Sequence, residues 1–281
     1  MYQTVLIVGT GRLPLDVAKL LRKRAVSCSI LEYGNHEMST LARSCKRMDF
    51  PYQAVDKAGL TDILSRQTEH TLVISANNAY LFPAAVVEKE NLTIINFHPA
   101  LLPVHPGRNA EAWAIYEGDA QTGVTWHVVD TQVDHGNILT QGVIELDDTI
   151  TSLQLMSQQF RLAAEQFDRI ADGLLAETLR GQPMQAPENR KMHYSFDKPN
   201  GGLLNPDWPL CRISRFLRAM DYGPIAFLGE PRLLVDGLPY RWSRYQIAPN
   251  TENLVTDAAQ GIFADDSCCI RLTGFAPAED A

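Results

Sequence analysis

Residues 93–136 read TIINFHPALLPVHPGRNAEAWAIYEGDAQTGVTWHVVDTQVDHG, and the apolar letters at the start predict a short buried strand over residues 93–97. Asn96 and His98 come at the end of that strand, two residues apart. Because residues i and i+2 of an extended chain share one face, the amide and the imidazole are expected to point the same way. The stretch therefore predicts a polar site at the end of a strand.

Strands alternate with helices on both sides of this stretch. Before it, strands are predicted at 5–8, 26–32, 53–55 and 72–75, helices at 13–24, 39–47 and 60–66, and a short helix that ends with Val87. After it come a helix at 110–117, strands at 123–129 and 138–144, and a long helix from a capping box at 151–154 to Gly181. The alternation predicts an α/β fold, a Rossmann-like, doubly wound and mostly parallel sheet. Ligands of such sheets bind beyond the carboxyl ends of the strands, at the switch in strand order.

The first strand is followed by a glycine turn, Gly9-Thr10-Gly11, and the second strand ends near Glu32. This order and spacing imitate a dinucleotide fingerprint, although Pro14 occupies the third glycine position. The alternative is that the turn only closes the first βαβ unit of the sheet.

A shift in composition predicts a linker at 183–206, between a domain at 1–182 and a subdomain at 207–281. Predicted features of this smaller α+β or β subdomain are a helix at 211–220, a hairpin around Asp236-Gly237 and a strand pair around Asp265-Asp266. The resulting small sheet has an open edge. We therefore expect the chain to be the front part of a longer protein, with fusion to further biosynthetic domains.

Composition excludes several classes of protein. The net charge is −8 without a basic block, which argues against a nucleic-acid partner. No apolar run is long enough to span a bilayer, and no signal peptide precedes the first strand, so neither a membrane nor secretion is expected. The five scattered cysteines are typical of reduced thiols, so the predicted location is the cytoplasm and no metal is expected.

The residue types at the strand end suit acyl transfer to an amine. This reaction passes through a tetrahedral oxyanion, which needs a hydrogen-bond donor and a group that handles a proton. Asn96 is the candidate donor, and His98 is the candidate for either task. Asp134, in the loop before Gly136, is expected to orient His98 and to raise its pKa. No serine or cysteine nucleophile is near, which favours direct attack by the amine.

Three motifs carry a family resemblance: NFHPALLP at 96–103, then GRN with WAI, then GVTWHVVD with VDHGNIL. Together they resemble the folate-dependent formyltransferases, a family that includes methionyl-tRNA formyltransferase, amino-sugar N-formyltransferases and formylation domains of nonribosomal peptide synthetases. The resemblance covers residues 70 to 180 and extends to the N-terminal βαβ unit. Asp207-Trp208-Pro209 resembles the start of the family's C-terminal subdomain.

The resemblance implies that Asn96, His98 and Asp134 are catalytic and that 10-formyltetrahydrofolate donates the formyl group. It also implies folate contacts, which fall on Tyr80, Leu81, Phe82, Val129 and Asp130. Next to the site, His105 and Arg108 are candidates for binding the acceptor. The sequence departs from the family pattern at three places: Ala100 replaces a serine, Asn78-Ala79 replaces an aromatic-glycine pair, and His135 lies within Asp-x-Gly. His127 and Trp113 are predicted to be structural.

The expected function is N-formyl transfer to a primary amine of a small or carrier-bound metabolite in natural product biosynthesis. The candidate acceptors are an amino sugar nucleotide and an aminoacyl group on a nonribosomal peptide synthetase. Two alternatives remain open: a formyltetrahydrofolate hydrolase, and a folate- or nucleotide-binding regulatory domain suggested by the glycine turn and Glu32. The sequence determines neither the amine nor the oligomeric state.

Overall fold

The computed structural model describes residues 1–34, 39–185, 187 and 190–278. Fourteen strands are described: β1 Thr4–Gly9, β2 Ser29–Tyr33, β3 Tyr52–Val55, β4 Thr71–Ala76, β5 Leu92–His98, β6 Gln121–Val128, β7 Ile138–Glu145, β8 Leu203–Leu204, β9 Arg232–Val235, β10 Leu238–Arg241, β11 Arg244–Pro249, β12 Ile262–Ala264, β13 Cys268–Thr273 and β14 Ala276–Pro277. The described α-helices are α1 Leu13–Lys23, α2 Thr40–Met48, α3 Lys57–Ser65, α4 Ala84–Val87, α5 Ala110–Glu117, α6 Ser152–Leu175 and α7 Leu210–Ala219. Part of the predicted linker, residues 186, 188 and 189, lies outside the described residues.

Seven strands form the main sheet in the order β3-β2-β1-β4-β5-β6-β7. The pairs from β3 to β5 are parallel, and β5 pairs with β6 in the antiparallel sense. The predicted α/β fold with a Rossmann-like, mostly parallel sheet is confirmed. The strand order switches between β1 and β4, so Asn96 and His98, on β5, lie one strand away from the switch rather than at it.

Alternation of apolar side chains along β1 gives the sheet two buried faces. Val5 and Ile7 join a cluster with residues of α1 and α6, whereas Leu6 and Val8 join a second cluster with residues of α3 and α4. Both sets of side chains are at most 6% exposed. Because helices cover both faces, the strands carry nearly continuous apolar runs, as parallel strands generally do.

Local capping explains where several helices begin. Ser39 caps α2, its hydroxyl accepting the backbone N–H groups of Leu41 and Ala42. At the start of α6, Thr151 and Gln154 form the predicted capping box, each side chain accepting the other's backbone N–H. The predicted end of α6 at Gly181 is wrong, because the helix stops at Leu175. The apolar positions used for the prediction end in that last turn.

The chain divides into two compact units, and each is discontinuous in sequence. The first comprises Met1–Gly107, Gly123–Ile144 and Ser157–Met192, and the second comprises Arg108–Thr122, Glu145–Met156 and His193–Ala281. The predicted boundary at 183–206 stays a prediction.

The second unit contains two small sheets, with orders β14-β10-β9-β8 and β11-β13-β12. The predicted hairpin joins β9 to β10, and Asp236 and Gly237 at its turn have φ of 50° and 81°. Positive φ at both central residues is what a two-residue type I′ turn requires. Within the described part of the chain, every helix is too short or too polar to cross a bilayer.

Candidate active site

A row of three polar side chains crosses the main sheet at β4, β5 and β6. Asn96 pairs in register with Ser75 on one side and with His127 on the other. The Ser75 hydroxyl donates to Asn96 Oδ1 at 2.7 Å, and Asn96 Nδ2 lies 3.1 Å from His127 Nε2. His127 Nδ1 lies 2.9 Å from the Val128 carbonyl oxygen, so the proton of the neutral ring belongs on Nδ1 and Nε2 accepts from Asn96. The neighbouring strands thereby orient the Asn96 amide.

The imidazole of His98 is buried between two oxygen atoms. Its Nδ1 lies 3.4 Å from Asp134 Oδ2, and its Nε2 lies 2.9 Å from the His105 carbonyl oxygen. The first distance is longer than an ordinary N–H···O hydrogen bond, whereas the second is within that range. Either neutral tautomer leaves one nitrogen lone pair facing an oxygen, and only the protonated ring satisfies both. The surroundings of His98 therefore suit a group that receives a proton.

The Asp134 carboxylate links both histidines to the loop after His98. Its Oδ2 accepts the Gly107 N–H at 2.8 Å, and its Oδ1 lies 3.6 Å from His127 Nε2. The side chain is only 9% exposed. Burial acts to raise the pKa of the Asp134 carboxyl, but His98 and His127, when they are protonated, and the Gly107 N–H outweigh it and hold this pKa well below its usual range. Asp134 is therefore ionised at neutral pH.

Burial determines the protonation state of His98. Loss of solvation lowers the pKa of His98 below its usual value and outweighs Asp134 and the His105 carbonyl, which both act to raise it. The expectation that the carboxylate gives His98 a raised pKa is therefore wrong in its net direction. The loss of solvation disfavours the protonated ring more strongly than the Asp134 charge favours it. A neutral His98 beside an ionised Asp134 is the resting arrangement at neutral pH.

Side chains from the sheet and from α6 anchor the start of the loop that follows His98. The Thr125 hydroxyl donates to the Ala100 carbonyl at 2.6 Å and accepts the Leu102 N–H at 3.1 Å. Gln159, on α6, donates its side-chain N–H to the Pro99 carbonyl at 2.6 Å. Ala100 itself is fully buried. These contacts fix the start of the loop. Further along it, the His105 carbonyl contacts His98 and the Gly107 N–H donates to Asp134.

Residues 78–82 are tied to the polar row. Asn78 lies within hydrogen-bonding distance of both Ser75 and the Tyr80 backbone, with distances of 3.0–3.3 Å. Tyr80 is buried, and its hydroxyl lies 2.8 Å from the Thr61 hydroxyl. The ring of Phe82 packs edge-on against Tyr80 with centroids 5.2 Å apart, whereas Leu81 is 69% exposed. The segment thus presents one exposed apolar side chain beside two packed rings.

The other two residues predicted to bind folate follow β6. Val129 packs with Phe82 against the cluster that contains Tyr80, and its backbone N–H donates to the Ile94 carbonyl on β5. Asp130 pairs with His135, their Oδ2 and Nδ1 atoms lying 2.8 Å apart. Phe82 and Val129 therefore pack against the same cluster of buried residues, and the role of these segments in folate binding stays a prediction.

The two residues predicted to bind the acceptor occupy different units. His105 has a φ of 48° and contacts His98 through its backbone carbonyl. Arg108 begins a segment of the second unit, where its backbone N–H donates to the His193 carbonyl at 2.9 Å. Their roles in acceptor binding stay predictions.

Sequence reasoning missed the place of His127 in the site. Alternation along β6 puts Val124, Trp126 and Val128 on one face, which leaves His127 and Thr125 on the other. Both of these residues contact the site or its loop, so this alternation was the signal that could have identified them.

Sheet packing accounts for the features that suggested a nucleotide. A Cβ atom at Gly9 would lie 1.8 Å from the Ala76 carbonyl oxygen, so only glycine allows β1 to pass β4 this closely. Glu32 is 2% exposed and accepts a hydrogen bond from the Tyr52 hydroxyl at 2.6 Å.

Over residues 1–34, 39–185, 187 and 190–278, no group of three His, Cys, Asp or Glu side chains is arranged to hold a metal ion.

Two comparisons of the sequence with known proteins both find similarity to formyltransferases. Residues 35–167 match the family model described as formyl transferase. A GDP-perosamine N-formyltransferase of Brucella melitensis is 31% identical over 170 residues, which cover 60% of this chain and 62% of that relative. The chain thus matches less than two thirds of this relative's length.

Solved structures share the fold. A sugar N-formyltransferase from Shewanella superposes with a TM-score of 0.69 at 20% identity, covering 84% of this chain and 94% of that one. An N-formyltransferase from Helicobacter canadensis, in complex with folinic acid and dTDP-3-aminofucose, gives 0.70 at 12% identity, with coverage of 96% and 98%. The match of residues 35–167 to the formyl transferase model and the 31% identity to the Brucella relative confirm the resemblance to formyltransferases that the sequence predicts, and these solved structures share the fold.

Proposed function

We propose that the chain transfers a formyl group from 10-formyltetrahydrofolate to the primary amine of a nucleotide-linked amino sugar. The observation that carries this proposal is the convergence of Asn96, His98 and Asp134 within the segment that matches the formyl transferase model. These residues supply an amide donor, a neutral imidazole and a carboxylate beside it. This is the combination that acyl transfer to an amine requires.

Asn96 is the proposed donor to the formyl oxygen. An amide nitrogen carries two hydrogen atoms, and one of them is directed at His127. The second is assigned to the oxygen on which negative charge develops when the amine attacks. Because Ser75 and His127 hold the amide from both sides, the donor is already oriented before the charge appears. Such preorganisation is the main source of oxyanion stabilisation.

His98 is the proposed acceptor of the amine proton. In the tautomer with its proton on Nδ1, which faces Asp134, the ring has its lone pair on Nε2, so Nε2 is the nitrogen assigned to the substrate. It exchanges its contact with the His105 carbonyl for one with the reacting groups. Protonation gives the ring a positive charge, which the ionised Asp134 stabilises. We propose direct attack by the amine on the formyl carbon through a tetrahedral oxyanion. Its collapse breaks the bond between that carbon and the folate nitrogen, and the proton held by His98 goes to this nitrogen as tetrahydrofolate leaves.

Folate is proposed to bind along Tyr80, Leu81, Phe82, Val129 and Asp130. When bound, 10-formyltetrahydrofolate supplies the activated formyl carbon. The packed rings of Tyr80 and Phe82 with exposed Leu81 provide an apolar surface. Asp130, in the same segment between β6 and β7 as Asp134, provides a polar group. An apolar surface with few polar groups is typical of sites for small aromatic ligands.

The proposed acceptor rests on the relatives. The matched curated relative acts on GDP-perosamine, and the Helicobacter structure contains dTDP-3-aminofucose. We therefore propose an amino sugar nucleotide before an aminoacyl group on a carrier protein, with His105 and Arg108 as candidate contacts. The net charge of −8 is the reason for placing a transfer RNA acceptor last.

The test is formyl transfer by the purified chain from 10-formyltetrahydrofolate to a panel of amines. The panel contains GDP- and dTDP-linked amino sugars, an aminoacyl carrier protein and aminoacyl transfer RNA, and a reaction without amine measures hydrolysis. Formylation of a sugar nucleotide supports the proposal. Formylation of the carrier alone identifies the other acceptor, while amine-independent release of formate identifies the hydrolase. Folate binding without turnover of any amine would favour the regulatory domain.

A further inference from the structure

Arg190 contacts the aspartate loop, which comprises residues 129–137 between β6 and β7 and contains Asp134. Its Nη1 donates to the Asp134 carbonyl oxygen at 2.6 Å, and its Nη2 donates to the Val133 carbonyl oxygen at 2.9 Å. The residue is partly buried. Both acceptors are consecutive main-chain carbonyls, so the guanidinium holds the backbone of this loop and leaves the Asp134 carboxylate to His98, His127 and Gly107.

The loop has a conformation that benefits from such support. Asp134 has a φ of 49°, in the left-handed region that a non-glycine residue adopts at an energetic cost. Two residues later, a Cβ atom at Gly136 would lie 1.9 Å from the Val128 carbonyl oxygen, so the loop returns very close to β6. A strained turn persists only when neighbouring contacts determine it. The two hydrogen bonds from Arg190 act on the strained residue itself.

Arginine suits this task for a geometric reason. The planar guanidinium presents several N–H donors in a fixed fork, so one side chain binds two neighbouring carbonyl oxygens at once. A lysine ammonium carries its donors on a single nitrogen at the end of a flexible stem. Replacement by lysine therefore retains the charge but loses the fixed pair of directions.

We infer that Arg190 is a positioning residue, which sets the place of the Asp134 carboxylate relative to His98 by clamping the carbonyls of Val133 and Asp134. This inference rests on the proposed function, in which Asp134 stabilises the protonated His98. Displacement of a catalytic group by about 1 Å costs up to about 100-fold in rate. The clamp acts on kcat, because Arg190 is assigned no contact with substrate.

The variants are Arg190→Gln, Arg190→Lys and the matched control Arg180→Gln. Arg180 also donates from its guanidinium to two backbone carbonyls, those of Glu177 and Leu179, in the same unit but outside the aspartate loop. We expect Arg190→Gln to lower kcat about 10- to 100-fold with KM for the amine changed less than about twofold. Arg190→Lys should fall between this variant and the wild type, and Arg180→Gln should match the wild type.

A measurement without turnover tests the same inference. The Gly107 amide donates to Asp134 Oδ2, so its hydrogen exchange reports the position of the carboxylate. Exchange of this amide should be faster in Arg190→Gln and unchanged in Arg180→Gln. If no amine is formylated by the wild type, the proposed function fails, while the exchange result still decides whether Arg190 positions Asp134.

A double-mutant cycle separates positioning from general stabilisation. If Arg190 acts through Asp134, adding Arg190→Gln to Asp134→Asn should lower kcat by less than about twofold further. The inference is overturned by an additive loss, or by a variant whose melting temperature falls while Gly107 exchange and kcat stay at wild-type values. Should Arg190→Gln fail to fold, Arg190→Lys carries the same comparison.

Discussion

The most informative perturbation is Asp134→Asn, which removes one charge and keeps the shape of the side chain. The amide oxygen still accepts the Gly107 N–H, so the loop after His98 retains its anchor. What is lost is the attraction between a carboxylate and the imidazolium that forms when His98 takes the proton. The wild-type distance between Asp134 Oδ2 and His98 Nδ1 is 3.4 Å.

The magnitude follows from that distance. Two unit charges 3.4 Å apart attract each other by about 5 kcal/mol at an effective dielectric constant of about 20. This is an upper bound, since each charge is shared between two atoms of its group. With about 1.4 kcal/mol for each tenfold change in rate, we expect kcat to fall about 1000-fold. That loss lies within the range usually found for a group in acid–base catalysis.

The pH profile gives the sign of the effect. Burial lowers the pKa of His98, and the Asp134 charge acts in the opposite direction. Removing the charge therefore lowers the pKa of His98 further. The decline of kcat on the acid side should then occur at lower pH, and the maximal kcat should itself be lower than in the wild type. The assay is formyl transfer to the best amine between pH 5 and 9, with Asp16→Asn on α1 as a control for the loss of a carboxylate. A kcat within about threefold of the wild type, or an acid limb that stays in place, would refute the reasoning.

Substitutions at three other positions separate catalysis from stability. His98→Gln should lower kcat at least about 100-fold. Burial lowers the pKa of His98 in the folded chain, so the unfolded chain binds a proton at His98 more readily. The free energy of unfolding of the wild type should therefore fall relative to that of His98→Gln as pH drops below about 6.5, by at most about 1.4 kcal/mol per pH unit. An equal difference between the two proteins in urea unfolding at pH 8 and at pH 5 would contradict this. Ser75→Ala removes one hydrogen bond to Asn96, worth about 1 kcal/mol, and should lower kcat about fivefold, whereas an unchanged kcat would show that His127 alone orients the amide. Ser39→Ala removes the cap of α2 and should cost about 1 kcal/mol in the free energy of unfolding without changing kcat, and a lower kcat would contradict its purely structural role.

The elements that the sequence predicted well are those governed by local interactions. The helix at 110–117 has the predicted bounds, because Gly118 after it adopts the left-handed conformation with a φ of 78° that ends helices. The hairpin at Asp236-Gly237 likewise follows from the backbone preferences of two residues. The predicted end of α6 at Gly181 is wrong because the helix stops where its apolar pattern stops, at Leu175, and not at the next glycine.

The candidate site divides in the same way. Asn96 and His98 were identified by sequence alone, because alternation along one strand requires no knowledge of its neighbours. Ser75, His127 and Arg190 were not identified as part of the site. Their contacts with Asn96 and with the aspartate loop join residues 21, 31 and 56 positions apart, which only strand pairing and chain packing bring together.

The amino-acid sequence by itself determined the class of fold, the strand that carries Asn96 and His98, and the motifs shared with formyltransferases. Only the tertiary structure decided the protonation states, because the pKa of His98 depends on how completely the ring is removed from water. It also decided which side chains hold the Asn96 amide and the Asp134 loop. Periodicity and capping act between residues near in sequence, whereas burial and cross-strand contacts exist only once the chain is folded.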